Sequence, residues 1–397
     1  MRIDQNIRQL ISACCSSMHK KRRHTVVAAA MALLRCGRVV AASIGRAIAV
    51  NTSDKHGIKR VDRLLGNAKL HAELLDAYRA LAAFAVGSIV HPIILVDWTE
   101  LGRGKCALKA VVAFHGRGLP LYSECHSAEV QARHSVHKRF LARLARVLPD
   151  GCTPILVTDA GFKQPWRDAV KARGWHFVSR VRSPTLVRAS KHDQWRVVRN
   201  CSQRFGRGIT DLPQGELNRC DPIHVRLVFC DERSARARKQ PRLRGRGIRT
   251  QRAVRGAHEP WMLATSMTSC LAKDVASVYA LRMQVEESIR DDKSHMYGWA
   301  FNDAKCRTCR RVDIQLFLLA LATSAVILVG IAAELAGQAK RFQANTERRR
   351  RVLSLATLGR RVLALANQSW LTPQLLLDAL RWQWQHTPHV FNIARTL

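Results

Sequence analysis

Three acidic side chains sit where they could do chemistry together. Asp97 follows the aliphatic run Ile93-Ile94-Leu95-Val96, and Asp159 follows Pro154-Ile155-Leu156-Val157-Thr158. An aliphatic strand ending in an Asp holds a carboxylate rigidly at a sheet edge, where sites form in open α/β sheets. Two such carboxylates side by side repel, and one pKa rises unless a cation intervenes. Mg²⁺ is a hard ion that takes oxygen ligands and needs few protein carboxylates. Taken singly, an Asp after a strand is also an ordinary turn or cap residue. The third acid has a more specific setting. Tyr279, Arg282, Glu286 and Lys293 follow one another at steps of three, four and seven. At about 100° per residue these steps return near one helix face. One stripe then carries an aromatic, a cation, a carboxylate and a second cation. An Arg282–Glu286 ion pair on a solvated face is the plain alternative. A metal site beside a row of phosphate-binding cations is the chemical reading, and it amounts to metal-dependent phosphodiester chemistry.

The elements that must position these groups are legible in outline. Residues 1–86 read as helical. Thr52 or Ser53 caps a helix through Leu65 that Gly66 ends, and a further helix runs from His71 to Ala85 before Gly87. Apolar faces there oppose basic ones, which suits a small helical DNA-binding domain, with Lys55, Arg60 and Arg63 as candidate contacts. From Ser88 the pattern changes. Ile89–Val96 is expected as a buried strand with Asp97 at its end, and Ala107–Phe114 and Leu119–Glu124 as a hairpin. A helix over Val130–Leu148, a strand over Thr153–Thr158, a helix over Gln164–Arg173 and a strand over Trp175–Val181 follow. That order predicts a mixed sheet with helices on its faces. Residues 183–265 read as an inserted β-rich basic subdomain, with Arg233–Arg255 as a mobile basic loop. Trp261–Thr265 is a strand leading into one long helix, roughly Lys273–His295, and the remainder is helical. The expected division is therefore 1–86, 87–182, 183–265, 266–335 and 336–397, the last helical and a candidate for dimerisation.

Composition narrows the partners. Lys and Arg number 66 against 29 acidic residues in 397, a formal net charge of +37 spread along the chain. A compact protein with that charge repels itself unless a polyanion lies on its surface, so nucleic acid is the expected partner. The twelve cysteines are scattered, as in a reduced cytoplasmic chain rather than a disulfide framework. Cys306 and Cys309 form one C-x-x-C with no second pair, so zinc is not expected. Ile314–Ala333 is long enough to span a bilayer, but Gln315, Thr323 and Ser324 interrupt it, and a buried helix pair is expected instead, with no membrane partner.

With these residues in hand, the chain resembles the bacterial insertion-sequence transposases of family four, within the RNase H-like DDE group. Tyr279, Arg282, Glu286 and Lys293 match that family's Y-x2-R-x3-E-x6-K pattern. Asp97-Trp98-Thr99 matches its first acid motif, and Asp159-Ala160-Gly161-Phe162 its second. The resemblance extends over essentially the whole chain and implies the following. Asp97, Asp159 and Glu286 bind two Mg²⁺ or Mn²⁺ ions about 3.5–4 Å apart for in-line phosphoryl displacement. Arg282 and Lys293 hold phosphates, supported by Tyr279. Trp261 stacks on a flipped base, unless it is an ordinary strand aromatic. The implied pathway is cut-and-paste transposition through a hairpin intermediate, by a homodimer on terminal inverted repeats and target DNA, in the bacterial cytoplasm at the nucleoid. Trp370, Trp382 and Trp384 fit a dimer interface or a buried core equally. Three rivals remain: a tyrosine recombinase using Tyr279 as nucleophile, a transposase-derived DNA-binding protein without catalysis, and a related RNase H-like nuclease. The recombinase leaves both strand acids unexplained.

Overall fold

A computed structural model describes residues 2–49, 51–231, 259–344, 346–347, 349–365 and 369–388. The basic stretch Arg233–Arg255 thus lies outside the described residues. The described chain divides into two compact units. The first runs to Cys152 and resumes at Met283; the second is Thr153–Arg282.

The first unit opens with five helices, α1 (Arg2–Cys14), α2 (Lys20–Cys36), α3 (Ala41–Ile48), α4 (Asp54–Leu65) and α5 (Ala68–Val86). Ser53 and Gly66 flank α4 as the capping pattern predicts, while α5 starts earlier than periodicity suggests, because Asn67 Oδ1 accepts from Leu70 N at 2.9 Å. Helices α3 and α4 cross backbone to backbone. A Cβ on Gly57 would stand 2.2 Å from Gly45 O, and one on Gly45 would stand 2.5 Å from Ile58 Cα. Glycine is required at both positions by close approach. Helix α4 buries Gly57, Val61, Leu64 and Leu65 and exposes Lys55, Lys59, Arg60 and Arg63.

Three antiparallel strands follow: β1 (Ile93–Gly102), β2 (Lys105–Phe114) and β3 (Arg117–Ser127). The β2–β3 hairpin turns at His115 and Gly116, both at positive φ (41° and 83°), the backbone that tight hairpins favour. Strand β1 starts later than the aliphatic run suggests and continues past Asp97, which lies mid-strand rather than at its end. Ladder pairing with β2 carries it on, with Asp97 opposite Lys109 and Thr99 opposite Ala107.

Helix α6 (His134–Val147) completes the first segment of this unit; α10 (Met283–Lys293), α11 (Cys309–Leu335), α12 (Leu355–Leu363) and α13 (Pro373–His386) form the second. The core gathers on α11 and β3, where Tyr78 packs edge-on against Tyr122 and Phe317 with ring centroids 5.1 and 5.0 Å apart. The expected buried helix pair is one continuous 27-residue helix, α11, long and apolar enough to cross a membrane, with 94% of its most apolar window buried. Trp384 Nε1 donates to Phe84 O on α5 at 2.9 Å, and Trp382 stacks on His386 at 4.1 Å.

The second unit holds β4 (Ile155–Thr158), α7 (Gln164–Lys171), β5 (His176–Val181), β6 (Leu186–Arg188), β7 (Arg196–Val197), α8 (Ser202–Phe205), β8 (Gly208–Leu212), β9 (Glu216–Leu217), β10 (Ile223–His224), β11 (Arg226–Asp231), β12 (Trp261–Thr265) and α9 (Ala272–Ala280). Strands β4 and β5 pair in parallel, and β5–β12, β12–β11 and β11–β8 pair antiparallel, so its sheet is mixed. A small separate sheet runs β10-β9-β6-β7. The short strands of the expected β-rich insertion are present in both sheets.

The long helix expected over Lys273–His295 is two helices, α9 and α10. Leu281 N bonds to Val278 O at 3.2 Å and Arg282 N to Tyr279 O at 3.0 Å, so the chain turns there in place of the i→i+4 ladder. No Gly or Pro marks this break, and periodicity alone does not reveal it.

Candidate active site

In the first unit, β1 presents Asp97 and Trp98 to opposite faces, because side chains alternate along a strand. Trp98 Nε1 donates to His137 Nε2 on α6 at 3.0 Å, and its ring meets His126 edge-on at 5.7 Å. Behind it lies a buried network: Glu124 accepts from His126, Arg143 and Tyr122 at 2.8, 2.7 and 2.8 Å. Burial works against ionisation of Glu124, but those three donors outweigh it and hold the carboxyl below its usual range. Burial, reinforced by His134 and His126, pushes His137 down to about 4, so its ring stays a neutral acceptor for Trp98. This network pins the strand that carries the first acid.

Asp97 occupies the other face, and α10 covers it. The cross-strand neighbour of Asp97, Lys109, forms an ion pair with Asp292 on α10. Thr99, two residues along from Asp97, and Lys109 line a small cavity with Ile289, Asp292 and Lys293. Glu286 precedes Ile289 by three and Lys293 by seven residues, the spacing of one helix face. Asp97 and Glu286 thus arise from two surfaces that pack on each other. The opposite side of α10 is bonded to the hairpin: Phe114 N donates to Gln284 Oε1 and Gly118 N to Ser288 Oγ, both at 2.7 Å. Asp97 Oδ1 also accepts from Trp98 N at 2.8 Å, which fixes its rotamer. Burial lowers the pKa of Lys293, against the pull of Glu100 and Asp292.

In the second unit, Asp159 directly follows β4. Its Oδ1 accepts from Gly161 N at 2.9 Å, and a Cβ on Gly161 would lie 3.1 Å from that oxygen. The aspartate is held by its own turn. Tyr279, 3% exposed, meets Trp261 edge-on with centroids 4.8 Å apart. Burial pushes the Tyr279 phenol up, Arg282, Arg180 and Arg182 pull it down, and Asp159 pushes it up again. Tyr279 therefore stands among the second acid and three arginines. Arg180, on β5 and itself buried, donates to Glu259 O at 3.1 Å and bonds the Tyr279 hydroxyl. Sequence reading found Tyr279, Arg282 and Trp261 but missed Arg180, Arg182, Lys109 and Asp292. The only available signal was the Arg180-x-Arg182 alternation closing an apolar strand.

The candidate residues are thus apportioned by unit: Asp97, Glu286 and Lys293 in the first, Asp159, Trp261, Tyr279 and Arg282 in the second. Among the described residues no group of three or more His, Cys, Asp or Glu side chains is gathered to hold a metal ion. Lys55, Arg60 and Arg63 are exposed on α4 of the first unit.

Residues 89–324 match the transposase DDE domain family. The chain belongs to that family. No curated protein matches it. The mixed α/β build, strands flanked by helices, is consistent with the RNase H-like fold of such transposases. Membership makes this a DDE transposase that acts on DNA, and the family generally uses divalent metal ions. The candidate donors suit that chemistry: the carboxylates of Asp97, Asp159 and Glu286 are half-buried, hard oxygen ligands.

Proposed function

We propose that the protein is an insertion-sequence transposase of family four that excises and inserts its element by cut-and-paste transposition. The observation that carries this reading is the setting of Tyr279. A residue of the family-four pattern is buried under Trp261 and shares its surroundings with Asp159 and Arg282. Nothing in a generic nuclease calls for that combination.

In this reading Asp97, Asp159 and Glu286 hold two divalent ions, Mg²⁺ or Mn²⁺. The chemistry such a pair supplies when bound is an activated water or DNA 3′-hydroxyl and a stabilised leaving oxygen. The chain's own groups do the rest. Asp97 is kept in place by β1 and Asp159 by its turn, so little reorganisation is needed at the moment of reaction. Arg282 and Lys293 neutralise phosphates beside the scissile bond. Tyr279 buttresses Arg180 and supports the face of Trp261, on which an extruded base of a hairpinned DNA end stacks. Exposed Lys55, Arg60 and Arg63 on α4 meet the phosphates of the terminal repeat, within a helical region 1–86 that recognises the ends. The working form is a homodimer on paired ends.

The test is cleavage of DNA carrying the element's own ends, with Mg²⁺ or with EDTA, by the wild type and by Glu286→Gln. Metal-dependent cutting at the end with a hairpin product, lost in the variant, is expected. Tight, folded binding without cutting would replace this reading with a binding protein. Affinity should also fall steeply with salt, as phosphate contacts require.

A further inference from the structure

Cys309 is the first residue of α11, directly after its N-cap Thr308, and is half-exposed. One turn on, and on the same helix face, Asp313 Oδ1 accepts a hydrogen bond from Cys125 N at 2.7 Å. Cys125, on β3, therefore lies against the first turn of α11, and its thiol interacts directly with that of Cys309. Cys125 is 6% exposed, and its Sγ approaches His126 O at 3.9 Å. The Cys106 thiol approaches the same carbonyl at 3.8 Å. Burial, then the neighbouring Cys309, pushes the Cys125 thiol well up. One partner is thus half-exposed, and the other is buried.

The same turn of α11 is a joint. Asp313 Oδ2 meets His71 Nε2 of α5 at 3.0 Å, and Arg311 pairs with Asp62 of α4. A link between Cys125 and Cys309 would also close a chain loop containing Thr153–Arg282 of the second unit.

We propose that Cys309 and Cys125 form a reversible disulfide on exposure to a peroxide, fastening β3 to the start of α11. The Cys309 thiolate attacks a peroxide oxygen; an S–O bond forms, the O–O bond breaks, and the released hydroxide takes up a proton as water. Cys125 then attacks the oxidised sulfur; the S–S bond forms, the S–O bond breaks, and the thiol proton leaves with the hydroxyl as a second water. Two thiols are oxidised and one peroxide is reduced. A dithiol reductant reverses the link by exchange. This device is independent of the DNA-processing reading.

The experiment treats the full chain with hydrogen peroxide, blocks remaining thiols by alkylation, and maps peptides without reduction. The expected result is loss of two titratable thiols, a Cys125–Cys309 linked peptide restored to free thiols by dithiothreitol, and a raised melting temperature. Cys306→Ser should form the same link, and Cys309→Ser, a conservative change at a half-exposed position, should show neither link nor melting shift. A Cys306–Cys309 peptide, a link through Cys106, or over-oxidised Cys309 beside an alkylatable Cys125 would overturn the proposal.

Discussion

The two units hold their carboxylates by different means. In the first, Asp97 lies mid-strand and Glu286 lies in the first turn of a helix sealed to the hairpin, and the supporting ion pair Lys109–Asp292 is largely buried, at 9% and 13% side-chain exposure. In the second, Asp159 is held by one backbone N–H in a turn, beside a cluster of aromatic and basic side chains. The contrast teaches that one unit couples its acids to folding, while the other sets its acid beside an aromatic and basic cluster. Substitutions near Asp97 should register as lost stability. Substitutions near Asp159 should register as lost activity in a protein that still folds.

The largest expected effect is Lys109→Met. It strands the Asp292 carboxyl in a site where burial already raises its pKa. Removing one partner of a buried pair costs roughly 3–5 kcal/mol. Denaturant unfolding should show that loss, and adding Asp292→Leu should recover much of it. Equal stability in Lys109→Met and wild type would dissolve the contrast. Next is Trp261→Ala, which should weaken handling of the hairpinned end by about 1–3 kcal/mol, the worth of one stacked base, with initial binding to intact duplex ends little changed. Gel assays separating nicked, hairpin and opened products would resolve it. If binding and all products fall together, Trp261 is a core aromatic. Gly161→Ala should follow. The new methyl crowds Asp159 Oδ1, and a displaced carboxylate should slow cleavage roughly tenfold without moving the melting temperature. A matching fall in melting temperature would put Asp159 in the same class as Asp97.

The smallest effect is a pH slope. His137 is held down to about 4, so the unfolded chain binds its proton first as pH falls. Glu124 is also depressed, so both groups contribute stability that is present above their usual ranges and is lost on acidification. Acid titration of stability should therefore weaken the first unit progressively below the usual histidine range. His137→Gln should flatten the upper part of that slope. A slope unchanged by the substitution would remove the Trp98–His137 bond from the account.

Sequence carried the element types well, because aliphatic alternation, caps and the hairpin turn are local signals. Ser53, Gly66 and the His115-Gly116 turn fell where turn chemistry demands. It carried less of how the elements end. Strand β1 runs on through Asp97 because β2 pairs with it, and a ladder partner is invisible to a local pattern. The break at Leu281-Arg282 has no Gly or Pro to announce it. Asp97 and Asp159 were legible as candidates because aliphatic strands frame them, and Glu286 because of its helical spacing with Tyr279, Arg282 and Lys293. Lys109 and Arg180 were not, since a lone cation in a chain with 66 Lys and Arg carries no local mark.

The most direct test of the central claim, that Asp97, Asp159 and Glu286 act as metal ligands of one reaction, is metal rescue. Asp97→Cys, Asp159→Cys and Glu286→Cys would each be assayed for DNA-end cleavage in Mg²⁺ and in Mn²⁺. A thiolate is a poor ligand for Mg²⁺ and a better one for Mn²⁺. Each variant should lose on the order of a thousandfold in rate or more in Mg²⁺ and regain part of it in Mn²⁺. A folded, DNA-binding variant that cuts normally in Mg²⁺, or that Mn²⁺ fails to restore at all, would contradict a ligand role for that acid.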